Sequence, residues 1–128
     1  MKKVIFLSLV LGIFLLAGCS GTSTSYPKLY TNEKLPQYSD ANLVQVITNG
    51  PTLKEGVLLR LESKKDVKTI AVYYDEQMTK LGWIMPAKNE ATETLYATQY
   101  NNGQKYVQLT VSQITGTSQT ITLNFMEQ

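Results

Sequence analysis

The chain has 128 residues, with twelve Lys and Arg against ten Asp and Glu, one cysteine and no histidine. The missing histidine removes the commonest general base and most zinc or copper sites together, and a lone cysteine can close no internal disulfide. Basic residues never run beyond a pair, so the sequence offers no surface for tracking nucleic-acid phosphates.

Residues 1–18 read as an export signal. Lys2 and Lys3 form a positive start, and Val4 to Leu16 follow without a charge. Thirteen residues suit a secretory apolar region but fall short of the roughly 20 needed to cross a bilayer. Leu16-Ala17-Gly18-Cys19 resembles the lipobox of bacterial lipoprotein precursors. The resemblance implies that Cys19 carries a diacylglyceryl group, becomes the first mature residue and anchors the chain through its acyl chains. Ser20, rather than Asp, implies sorting to the outer membrane, facing the periplasm, where the organism has one. Lys2 and Lys3 leave with the signal, so ten basic residues face ten acidic ones in the mature chain.

Residues 19–27 make up the lipidated cysteine and a tether whose Ser20 to Ser25 stretch is small and polar, and residues 28–128 are expected to form one domain. Pro27, Pro36 and few periodic apolar positions make residues 26–41 an extended lead-in. Asn42 to Thr48 is a β-branched run, Asn49-Gly50-Pro51 a turn, and Gly56 to Ser63 a strand with Val57, Leu59 and Leu61 on one face. Val67, Ile70, Ala71, Tyr74, Met78 and Leu81 fall on one helical stripe, with Asp75 and Glu76 on the polar side. Ser63 with Asp66 makes a variant capping box, and Gly82 stops the helix. Three strands follow at Thr94 to Tyr100, Lys105 to Gln113 and Gln119 to Phe125. Asn101-Asn102-Gly103 and Thr115-Gly116-Thr117-Ser118 are the turns between them. The expected fold is α+β: a single helix packed on one face of an antiparallel sheet of about five strands, in the order β-β-α-β-β-β.

Leu35-Pro36-Gln37-Tyr38-Ser39-Asp40-Ala41, Ser63, Val67, Tyr73-Tyr74 and Leu81-Gly82-Trp83 together resemble a small module of bacterial envelope proteins, with Ser39 standing where its proline is expected. More distantly, the plan of one helix on a curved sheet is similar to the helix-grip domains of the C component of the outer-membrane β-barrel assembly machine, itself a lipoprotein. The resemblance implies a fold, not an activity.

Little in the chain suggests catalysis. Ser63-Lys64-Lys65 lacks the facing geometry of a dyad, and Asp75-Glu76 and Glu90/Glu93 do not converge as glycosidase carboxylates or calcium ligands would. No catalytic residue, metal ligand or cofactor is therefore expected. Trp83 reads as a core plug. Eight tyrosines remain, of which Tyr96, Tyr100 and Tyr106 are expected to share the polar sheet face with Thr98, Gln108, Thr110, Thr120, Thr122 and Asn124. The competing assignment is that Tyr and Thr simply fill a half-exposed sheet. Tyr73 and Lys80, on the flanks of the helix, form the second candidate surface. Two functions stay open: a lipid-anchored, non-catalytic module that binds a protein partner in the envelope, and a binder of glycan or another small ligand through the tyrosine face. A nucleic-acid partner is not expected.

Overall fold

The computed structural model describes residues 25–48 and 56–127. Residues 1–18, expected to be an export signal, Cys19 and the expected Asn49-Gly50-Pro51 turn lie outside the described residues. A short helix α1 (Lys28–Asn32) leads into strands β1 (Ala41–Thr48) and β2 (Gly56–Ser63). Helix α2 (Val67–Lys80) and strands β3 (Leu95–Asn101), β4 (Lys105–Thr115) and β5 (Ser118–Glu127) complete the chain. The five strands form one antiparallel sheet in the order β1-β2-β5-β4-β3. The α+β class and the five strands agree with the sequence expectation, but a second helix precedes the sheet.

Period-2 alternation divides the sheet cleanly. One face carries Val57-Phe125-Val107-Tyr100, Leu59-Leu123-Leu109-Thr98 and Leu61-Ile121-Val111-Tyr96 as rungs across β2, β5, β4 and β3. All twelve of these residues are buried. Against them lie Val67, Ile70, Ala71, Tyr74 and Met78 of α2, each buried. Leu81, expected in the same stripe, is 39% exposed because the helix has already ended.

The ends of α2 follow from local chemistry. Asp66, not Ser63, is the N-cap, and its side chain accepts the Thr69 backbone N–H at 2.7 Å. Ser63 closes β2 instead, donating its hydroxyl to the Asp40 carbonyl at 2.8 Å and accepting the Lys65 N–H at 3.1 Å. At the C-terminus, Gly82 adopts φ +84°, the Gly82 N–H reaches the Thr79 carbonyl and the Trp83 N–H the Met78 carbonyl. This is a Schellman closure, which needs the left-handed region that glycine enters freely. It turns Trp83 back into the core as a buried plug.

The expected extended lead-in is a second cover for the sheet. Five strands spaced about 4.8 Å apart span roughly 19 Å between the outer strands, whereas one helix with its side chains is about 10–12 Å wide. Helix α2 touches β3 and β4, and α1 lies on the β2 side. Tyr30, Leu35 and Tyr38 from residues 26–40 are buried there, with the Tyr30 hydroxyl donating to the Pro36 carbonyl. Tyr38 stacks on Tyr73 at 4.3 Å and meets Tyr74 edge-on at 6.0 Å, joining the two covers. An ion pair of Glu33 with Lys105, which also lies 3.6 Å from Glu127, fixes α1 to one end of the sheet.

Candidate recognition surface

The three tyrosines expected on the polar face do not share a face. Tyr96 and Tyr100 are each only 2% exposed and sit in the core. Their cross-strand partners, Val111 and Val107, are core residues as well. In β3 the outward positions go to Leu95, Ala97 and Gln99. Two tyrosines bury far more apolar surface than those three residues could, provided their hydroxyls find partners.

Asp75 of α2 supplies the partner. The Tyr96 hydroxyl lies 2.8 Å from both Asp75 carboxylate oxygens, and the Tyr100 hydroxyl donates to one of them. The Met85 sulfur is a further neighbour, 3.7 Å from the Tyr96 hydroxyl. Burial, then hydrogen bonding to Asp75, pushes the Tyr96 hydroxyl up to about 12 and the Tyr100 hydroxyl higher still. Asp75, expected on a solvated helix face, is thus the polar anchor of β3. Thr98 is buried between the two tyrosines.

Tyr106 alone stands on the outer face, where its hydroxyl meets the Met126 sulfur at 3.5 Å. The second candidate surface also separates: Lys80 is exposed, but Tyr73 is half-buried against Tyr38 and Tyr74.

The outer face nonetheless has a polar centre, bordered by Leu58, Ala97 and Leu95. Its rungs, again read across from β2, are Leu58-Asn124-Gln108-Gln99, Arg60-Thr122-Thr110-Ala97 and Glu62-Thr120-Ser112-Leu95. Asn124 and Gln108 touch through their amides at 3.5 Å. The centre is therefore a grid of hydroxyls and amides, with Arg60 and Glu62 adding one charge of each sign on β2. Neither helix covers it, since both pack on the opposite side. Gln108, Thr110, Thr120, Thr122 and Asn124 stand where the alternation placed them. Arg60 and Glu62 were recognisable as outward positions of β2, but only the β2–β5 pairing puts them beside Thr122 and Thr120.

Chemically this surface donates and accepts hydrogen bonds. Among the described residues no group of three or more His, Cys, Asp or Glu is placed to hold a metal ion. No described helix is long and apolar enough to cross a membrane. No known protein family, curated protein or solved structure matches the chain.

Proposed function

We propose that the mature chain is a lipid-anchored protein of the cell envelope that works as a non-catalytic module, recognising a protein partner through the outer face of its sheet. The observation that carries this reading is the polar grid around Thr110, Thr122, Gln108 and Asn124, flanked by Arg60 and covered by neither helix among the described residues. Flat arrays of hydrogen-bonding groups can make the hydrated polar contacts of a transient protein interface. A glycan site would gain most from stacking rings, and two of the three tyrosines invoked for it are in the core. The anchor at Cys19 would confine the domain near one membrane, raising its effective concentration towards other envelope proteins so that modest contacts suffice.

The test is in-cell photocrosslinking from Thr110 and Gln108, compared with the exposed helix position Val72, together with a peptidoglycan pull-down. A discrete protein adduct from the sheet positions, lost in Arg60→Ala/Thr122→Ala, is expected. Adducts from Val72 alone, or retention on peptidoglycan without a protein adduct, would overturn the assignment.

A further inference from the structure

The two edges of the sheet are finished differently. The β3 edge is shielded by the chain that precedes it. Ile84 pairs with Asn101 through N–H···O bonds of 2.7 and 2.8 Å, and the Asn89 amide donates to the Ala97 carbonyl at 2.7 Å. At the other edge β1 pairs only with β2 among the described residues. Its eight residues, Ala-Asn-Leu-Val-Gln-Val-Ile-Thr, contain no charge and no proline, two of the devices that keep an edge from pairing. Ile47 is 45% exposed there.

The irregularity in β1 sets the register in which a second copy of the strand keeps its faces matched. Register slips between Leu43 and Gln45, so Val44 is the extra residue of a bulge. Through their β2 partners, Ala41, Leu43, Val46 and Thr48 belong to the core face, and Asn42, Gln45 and Ile47 to the outer face. A second copy of β1 laid antiparallel about a twofold axis between residues 44 and 45 sets Ala41 opposite Thr48, Asn42 opposite Ile47 and Leu43 opposite Val46. Every such pair matches core face with core face and outer face with outer face, which an unbulged strand could not do about that axis. Because the strand is uncharged, self-pairing opposes no like charges.

We propose that β1 is a homotypic docking edge, joining two copies of this chain into one continuous ten-stranded sheet. The position of the chain's tethered end selects this occupant, an argument that rests on the lipid-anchor reading. A twofold axis that continues an antiparallel sheet stands perpendicular to it, so both helical layers lie on the same side. Tyr26, the residue where the tether joins the domain, packs in that layer, stacked on Tyr30 at 5.2 Å. Two tethers, each of the seven residues Cys19 to Ser25 and at most about 25 Å long, then point towards one membrane, and the two polar outer faces lie side by side away from it. Membrane confinement raises the encounter rate of copies that pair through one strand each.

The test uses the full-length protein in its membrane. Cys19 is the only native cysteine, so Gln45→Cys, beside the axis, adds a single reporter thiol on the outer face. Oxidant or a short bis-maleimide should convert Gln45→Cys to a dimer, and co-expressed Asn42→Cys and Ile47→Cys chains should form a mixed dimer. Ala97→Cys, on the shielded β3 edge, should stay monomeric. A Gln45→Cys protein that remains monomeric under both reagents, or that crosslinks no better than Ala97→Cys, overturns the proposal. Fractionation of the same samples reads the anchor separately: dimers in the soluble fraction refute the lipid, and they uphold the edge where Gln45→Cys crosslinks and Ala97→Cys, which carries the same free Cys19, does not.

Discussion

Asp75 on α2 accepts the hydroxyls of both Tyr96 and Tyr100 from β3, a strand that begins twenty residues later in the chain. One carboxylate therefore holds the edge strand against the helix. Replacing Asp75 by Ala strands two phenols at a buried site. Hydrogen bonds to charged groups are worth about 1.5–3 kcal/mol each, so a loss of about 3 kcal/mol is expected, read from a urea midpoint. Tyr96→Ser/Tyr100→Ser should go further and unfold the domain, since it removes two rings from the core. A double variant that melts normally would show that the rings are not core residues.

Tyr74 presents the opposite situation. It is fully buried, and among the described residues its hydroxyl has no hydrogen-bond partner. Tyr74→Phe keeps the ring, and its edge-on contact with Tyr73 at 5.1 Å, while removing an unpaired polar atom. Such groups cost about 1–3 kcal/mol, so the variant should be more stable than the parent. A lower thermal midpoint would count against the packing described for the helix face.

The tyrosines also fix a pH dependence. Burial raises the Tyr26 and Tyr96 hydroxyls to about 12, those of Tyr74 and Tyr100 further, and that of Tyr30 well above its ordinary value. In the unfolded chain each ionises near pH 10. The folded state keeps protons that the unfolded state has released, so their stabilising contribution is complete below about pH 10 and is lost as pH rises through the folded values. Between pH 10 and 12 the unfolding midpoint should fall steeply, and ionisation of these five hydroxyls should appear together with loss of far-ultraviolet dichroism. Ionisation of all five on a folded domain, well before unfolding, would contradict the burial.

Gly82 allows a sharper local test. Its φ of +84° is unfavourable for any residue with a Cβ, although no atom stands within 4 Å of where that Cβ would be. Gly82→Ala should therefore cost about 1–2 kcal/mol from backbone strain alone. A second substitution that merely trims a neighbour should not restore the loss.

Where one face of an element is plainly apolar, its place was readable from the sequence. The alternation in β2, β4 and β5 and the stripe of α2 fall where they were expected, because Val, Leu and Ile at period 2 or 3.6 admit one buried face. In β3 the reading failed. Leu-Tyr-Ala-Thr-Gln-Tyr alternates without a decisive apolar face, and the choice was made by a carboxylate twenty-one positions before Tyr96. The lead-in failed for another reason: Tyr30, Leu35 and Tyr38 have no helical or strand period, yet together they cover the part of the sheet that α2 is too narrow to reach. Of the proposed site, the outward threonines and amides were legible strand by strand. Their convergence with Arg60 and Glu62 depends on β2 pairing with β5, which no local pattern encodes.

The clasp formed by α1 decides how the domain would answer a mechanical load. A pull at Tyr26 enters ahead of the sheet and meets first the Glu33–Lys105 ion pair, the Tyr30–Pro36 hydrogen bond and the Tyr38–Tyr73 stack. These hold residues 26–40 as a peelable flap, while the strand ladders behind it share the force among many bonds. Release of that flap would pay out some fifteen residues, about 50 Å of extended chain, before any strand separates. The second cover would thus double as a strain-relief loop between the proposed lipid anchor and the proposed binding face.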